Sequence, residues 1–134
     1  MHMRLKNEKQ LEALRESGKR LAQVMKLLSE HVAPGISTWE LDALAEAEIK
    51  RLGGIPIFKG YGASHGNPFP ASVCISLNDE VVHGIPRRDR ILRMGDLIKL
   101  DMGLRFDGMV SDMARTFPVG SVSKDAYKIM DVTR

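Results

Sequence analysis

Two aspartates in the last third of the chain are spaced for metal chemistry. Asp101 and Asp112 lie in the stretch KLDMGLRFDGMVSDMARTF, on the two arms of a predicted hairpin whose tight turn is Asp107-Gly108. If those two residues form the turn, Asp101 faces Ala114 across the hairpin. Asp112 then faces Gly103, so both carboxylates fall on one face of the sheet, about 7–8 Å apart at Cα. Carboxylates that close repel one another unless one is protonated or a cation lies between them.

The spacing of this pair admits two interpretations. A site that holds two metal ions about 3.5–4 Å apart needs carboxylates at such a separation to bind and bridge them. Alternatively, both side chains point outward and are solvated. The spacing alone does not decide between them.

The composition indicates one modest globular domain. The composition is 43% hydrophobic and 28% charged, with a formal charge of +3, which is ordinary for a globular protein. The length of 134 residues favours a single domain over residues 1–134. The only local basic cluster, PRRDRILR, is interpreted as a solvated loop, because a nucleic-acid surface would combine a longer basic stripe with aromatic residues. No nucleic-acid partner is expected.

Cysteine usage and hydropathy bear on the location of the protein. The single cysteine, Cys74, excludes an intrachain disulfide and suits a reducing compartment. No apolar run approaches the ~20 residues of a membrane span, and the first residues lack the apolar core of a signal peptide. We expect a cytoplasmic protein without a membrane partner.

Two predicted helices precede the hairpin. Apolar residues at three- and four-residue intervals predict an amphipathic helix from about Asn7 to Val32, which Pro34-Gly35 ends. A second helix begins at a capping box of Ser37 and Glu40 and ends at Gly53-Gly54.

Strand patterns follow the helices. ASVCISL predicts a buried strand, VVHGIP a strand that leaves into a loop, and a Gly95-Asp96 turn feeds the hairpin. KGYGASHGNPFP is too irregular for helix or strand, and Ser123 favours the start of a short end helix. Helices followed by antiparallel strands predict an α+β domain with two helices packed on one face of an antiparallel sheet.

These motifs together resemble a known family. SVCISLNDEVVHGIP (72–86) and GDLIKLDMGLRFDGMVSDMARTF (95–117) resemble the first half of a type I methionine aminopeptidase, a metallopeptidase of the pita-bread (creatinase/aminopeptidase) fold. SDMARTF alone would also suit a prolidase-like enzyme, whereas NDEVVHGIP favours removal of an N-terminal methionine from peptides. The resemblance runs from about Leu11 to Arg134 and implies half of a pita-bread fold.

The resemblance also implies roles for individual residues. Asp101 would chelate one of two divalent ions, Asp112 would bridge both, and His83 would donate a hydrogen bond to the bound peptide or its tetrahedral intermediate. The pocket for the methionine side chain would be lined by Tyr61, Phe69 and Cys74. The ions would be Mn, Fe, Co or Zn, which these ligand types do not rank. Their chemistry would be a metal-activated water that attacks the scissile carbonyl.

One departure from the family concerns the remaining ligands. The dinuclear site also needs a His and two Glu from the second half of the fold, and no His or Glu follows Asp112. We therefore expect the metal ions to be absent or weakly bound and the 134-residue chain alone to be inactive, as the N-terminal half of a larger enzyme. The alternative is a non-catalytic module in which a second copy replaces the missing C-terminal half, since the two halves are pseudo-symmetric.

Overall fold

The computed structural model describes residues 7–133, which form three α-helices and four β-strands. In chain order they are α1 (Glu8–His31), α2 (Thr38–Arg51), β1 (Ile55–Pro56), β2 (Val73–Leu77), β3 (Leu97–Phe106), β4 (Met109–Pro118) and α3 (Lys124–Val132), with a single 3-10 turn at Ala63–His65. Residues 1–6 and Arg134, the ends of the predicted 1–134 domain, lie outside the described range.

Side-chain caps set the starts of all three helices. The Asn7 side chain accepts a hydrogen bond from the backbone N–H of Gln10, and the Gln10 side-chain oxygen accepts one from the backbone N–H of Asn7. The predicted capping box of Ser37 and Glu40 opens α2 in the same reciprocal way. Ser123 caps α3. Each cap satisfies amide groups that the first helical turn leaves unpaired, so these starts are encoded locally.

β3 is the central strand of the antiparallel sheet. β4 pairs with it along its whole length on one side, while β2 and the short β1 lie end to end on the other. Alternate residues of β3 are fully buried against α1 and α2, and these are Ile98, Leu100, Met102 and Leu104. The predicted α+β arrangement with both helices on one face of the sheet is confirmed.

A buried carboxylate fastens the start of β2 to α2. Asp42 Oδ1 accepts the backbone N–H groups of Ser72 and Val73, both at 2.8 Å. Glu46, one turn further along α2, accepts hydrogen bonds from the Ser72 hydroxyl at 3.1 Å and from Lys59 Nζ at 2.7 Å. This anchor fixes where β2 enters the sheet, and therefore fixes the position of Cys74.

The predicted strand at VVHGIP is wrong. Residues 81–86 run as irregular chain, and the side chains of Val81 and Val82 are 78% and 57% exposed. The backbone of His83 has φ +60°, in the left-handed region, which interrupts any extended pairing at this point. An apolar pattern alone therefore did not distinguish a strand from a loop that lies against one.

The basic cluster is also more structured than a solvated loop. Arg87 pairs with Asp89, the guanidinium of Arg88 stacks 3.4 Å from the centroid of the Trp39 ring, and Arg90 donates to Glu80.

No helix within residues 7–133 combines the length and apolar character needed to cross a bilayer.

Candidate functional site

The register of the β3–β4 hairpin brings Asp101 and Asp112 together. Asp107 and Gly108 have φ of +46° and +76°, the left-handed pair that a type I′ turn requires. Phe106 pairs with Met109 across this turn. Asp101 consequently pairs with Ala114, and Asp112 with Gly103. The register predicted from the turn is confirmed, and the two carboxylates are diagonal neighbours.

Both aspartates lie on the face of the sheet opposite the helices. Met102, which follows Asp101, is buried against α1 and α2, so the pleat directs Asp101 to the other face. Asp101 is half-buried and Asp112 is exposed. Burial raises the pKa of Asp101 above its ordinary value, the charge of Asp112 raises it further, and His83 opposes the rise. The two carboxylates therefore repel one another, which agrees with a site for a cation, while the exposure of Asp112 agrees with the interpretation of solvated side chains.

Cys74 lies directly across from Asp101 in the β2–β3 ladder. Its side chain is buried, and burial followed by the charges of Asp101 and Asp112 raises the pKa of the thiol to about 11. The thiol is therefore protonated near neutral pH, and since the thiolate is the reactive form, Cys74 is suited to a wall and not to a nucleophile.

Tyr61 and Phe69 meet at the neck of the glycine-rich loop. The Phe69 N–H donates to the Tyr61 carbonyl at 2.8 Å, and the Gly60 N–H donates to the Phe69 carbonyl at 2.8 Å. The 3-10 turn between them carries His65, which is exposed and whose Nδ1 lies 3.1 Å from the Ser64 hydroxyl. The ring of Tyr61 is 78% exposed. The loop thus joins the two aromatic residues and leaves Tyr61 open to solvent.

Ile57 is a neighbour of the carboxylates that sequence reasoning missed. A Cβ added at Gly103 would lie 2.7 Å from Ile57 Cδ1, so the Ile57 side chain covers the sheet beside Asp112. The available signal was Gly103 itself, because a glycine within a strand often marks a close approach by another group.

An open groove of about 920 Å³ adjoins Asp101. Its walls include His83 and Asp101 from the site, the β4 residues 113–118, and Tyr127 and Asp131 of α3. No sequence pattern indicates that α3 faces this groove, because the packing of an end helix depends on contacts far along the chain.

The residues present do not fit a resident metal ion by themselves. No group of three or more His, Cys, Asp or Glu within residues 7–133 is arranged to hold one. Asp101 and Asp112 offer two carboxylates, whereas zinc sites in proteins use three or four protein ligands and calcium takes six to eight oxygen atoms.

Comparison with known proteins places these features in a family. The model of metallopeptidase family M24 matches residues 12–134. The methionine aminopeptidase of Clostridium acetobutylicum is 43% identical over 130 residues, which cover 97% of this chain and 50% of the relative. Methionine aminopeptidase 1 of Bacillus subtilis is 45% identical over 128 residues, which cover 96% of this chain and 49% of the relative.

The fold of the chain also matches a solved structure. The crystal structure of methionine aminopeptidase from Thermotoga maritima superposes with a TM-score of 0.92 at 30% identity, covering 99% of this chain and 51% of that one. The chain therefore spans about half the length of the relatives that it matches.

Proposed function

The chain belongs to metallopeptidase family M24, and on this premise we propose that it is the N-terminal half of a methionine aminopeptidase. The predicted fold, half of a pita-bread fold, is confirmed by the match to the Thermotoga maritima structure. The proposed reaction of the complete enzyme, removal of an N-terminal methionine from peptides, is supported by two relatives of that name at 43% and 45% identity. The proposed location is the cytoplasm, which the single reduced Cys74 suits.

The observation that carries this proposal is the diagonal placement of Asp101 and Asp112 on the open face of the sheet. In the complete enzyme Asp101 and Asp112 would be two of the ligands, Asp101 to one divalent ion and Asp112 shared between two. Ions of the Mn, Fe, Co or Zn class would supply an activated water there. The charge repulsion described above favours a cation between the two carboxylates, which supports these roles.

Substrate roles are proposed for four further residues. His83, which lines the groove with Asp101, donates a hydrogen bond to the bound peptide. The methionine side chain lies against Tyr61, Phe69 and Cys74. Cys74 is buried beside Asp101 and Phe69 is half-buried, so both can present an apolar wall. Tyr61 is 78% exposed, so its ring can contact a bound substrate from the solvent side.

The chain by itself is proposed to be inactive. Two carboxylates hold a divalent ion weakly. No His or Glu follows Asp112, and the family resemblance implies that such ligands come from the second half. The direct test is an assay of the 134-residue chain on a Met-Ala-Ser peptide with added Mn²⁺ or Co²⁺. No turnover above buffer is expected. Turnover that disappears with Asp101→Ala would refute the proposed inactivity.

A fusion tests the family function itself. The chain is joined to the C-terminal half of the Clostridium acetobutylicum methionine aminopeptidase, its 43% identical relative. The fusion is expected to release methionine, and Asp101→Asn or Asp112→Asn should abolish that release. Asp107→Asn is the matched control, because Asp107 is in the turn and asparagine tolerates its left-handed backbone. A folded fusion with two bound ions that leaves methionine peptides intact would refute the proposal.

A second copy of the chain is the alternative partner. Within residues 7–133 β4 pairs with β3 alone, so its outer edge presents unpaired backbone groups, which favour strand addition. In this alternative the protein is a non-catalytic module and two copies meet along β4. Sedimentation of the 134-residue chain as a dimer at micromolar concentration would support it. A monomer under those conditions would exclude it and leave the C-terminal half as the partner.

A further inference from the structure

His83 is held in an unusual backbone conformation at the rim of the site. Its φ is +60°, and the imidazole is exposed where it lines the groove with Asp101. A left-handed conformation in a residue other than glycine costs free energy and persists only where the surroundings enforce it. The groups that enforce it here can be identified on both sides of the loop.

Ser76 fastens the inner side of the loop to β2. Its hydroxyl accepts the Gly84 N–H at 3.0 Å, while the Gly84 carbonyl accepts the Ile75 N–H at 2.8 Å. The contact is so close that a Cβ at position 84 would lie 2.1 Å from the Ile75 carbonyl oxygen. Ser76 is only 2% exposed, so its hydroxyl is shielded from water and committed to this local network.

Arg90 fastens the outer side of the same loop. Its guanidinium donates to Glu80 Oε2 at 2.6 Å and to the Ile85 carbonyl at 3.3 Å, and so joins the chain before His83 to the chain after it. Glu80 is itself held, because its carboxylate accepts the Leu77 N–H at the end of β2. The Arg90 carbonyl accepts the Thr38 N–H at 2.9 Å, which ties this strap to the start of α2.

We propose that Ser76 and Arg90 are positioning residues for His83, which hold its imidazole at the groove beside Asp101 before any substrate or second half is bound. The proposal rests on the proposed function, in which His83 contacts the peptide. Preorganisation of this kind removes the ordering of the loop from the free energy of binding and catalysis. Neither residue needs to touch the substrate for this effect.

Nuclear magnetic resonance on the ¹⁵N-labelled 134-residue chain tests the proposal without reference to activity. Ser76→Ala should speed hydrogen exchange at the Gly84 amide by about 3- to 10-fold, as expected for one lost hydrogen bond. The backbone order parameter of His83 should fall from about 0.85 to below about 0.6. Ser76→Thr keeps the hydroxyl and should restore both values. Ser64→Ala, in an exposed loop, is the matched control and should change neither.

A second variant keeps the test decisive if Ser76→Ala does not fold. Arg90→Gln removes the guanidinium that joins Glu80 to the Ile85 carbonyl on the partly exposed side of the loop, and should also lower the order parameter of His83. Unchanged exchange and order in the folded variants would overturn the proposal. So would equal acceleration at Leu100 and Met102 in the core, because the residues would then stabilise the fold as a whole. If the fusion releases no methionine while the order parameter of His83 still depends on Ser76, the proposed function alone is refuted.

Discussion

Replacing Gly84 by alanine tests whether the His83 loop needs its close contact with β2. A Cβ at this position would lie 2.1 Å from the Ile75 carbonyl oxygen, 2.6 Å from the Ile75 carbonyl carbon and 2.8 Å from Ser76 Cα. All three atoms belong to the backbone of β2, which is paired with β3 over five residues. Because the strand cannot move cheaply, the loop must lift away from it.

The free energy of unfolding should fall by about 2–4 kcal/mol. Lifting the loop breaks the two hydrogen bonds of Gly84, to the Ser76 hydroxyl and from the Ile75 N–H. Each such bond contributes about 0.5–1.5 kcal/mol net, and a buried N–H left without a partner costs about 1–3 kcal/mol. Ile75 is fully buried, so its N–H carries that second cost.

Urea denaturation followed by circular dichroism measures the change, with Gly18→Ala as the matched control. Gly18 lies within α1, and a Cβ there would meet nothing within 4 Å. Alanine should therefore stabilise the helix by about 0.5–1 kcal/mol, the opposite sign to the effect at Gly84. A cost below about 1 kcal/mol for Gly84→Ala, with an unshifted His83 amide resonance, would refute the reasoning.

Two further predictions concern the anchor between α2 and β2. Asp42→Ala leaves the N–H groups of Ser72 and Val73 without their shared acceptor and should lower the free energy of unfolding by about 2–4 kcal/mol. Asp42→Asn keeps an acceptor oxygen and should cost under about 1.5 kcal/mol in the same urea assay, and equal losses would contradict this account. Hydrogen bonds from Lys50 and then Lys59 lower the pKa of Glu46 from 4.5 to about 2. The contribution of the Glu46 carboxylate to the free energy of unfolding should be fully present above pH 4.5 and lost as the pH falls toward 2. Urea titrations across that window should therefore show a smaller decrease in the free energy of unfolding for Glu46→Gln than for the unsubstituted chain.

The features that the sequence predicted correctly are encoded over a few residues. The predicted capping box at Ser37 fixes the start of α2. The pair Asp107-Gly108 selects the turn, and a side-chain period of two then determines which residues share the face of Asp101. Local chemistry therefore predicted the diagonal carboxylates before any tertiary contact was known.

The features that it did not predict depend on contacts between distant segments. VVHGIP has the apolar pattern of a strand. The path of these residues depends instead on the hydrogen bonds that Arg90 makes to Glu80 and to the Ile85 carbonyl, and on the contact of Gly84 with β2. The position of Ile57 over Gly103 and the place of α3 along the groove likewise join residues far apart in the chain. Such arrangements leave isolated signals in the sequence, such as a single glycine in a strand. They do not produce a periodic pattern of apolar residues.

Asp101 and Asp112 lie on the face of the sheet that does not pack against the helices, so they take no part in the hydrophobic core. One face of the hairpin makes the hydrophobic core, and the other carries two acids whose mutual repulsion opposes the folded state. Evolution could therefore have altered or discarded the reactive face while the scaffold persisted, since the interactions that maintain the scaffold do not involve it. A descendant that had lost both acids would still fold, and its shape alone would not reveal whether it retained any chemistry.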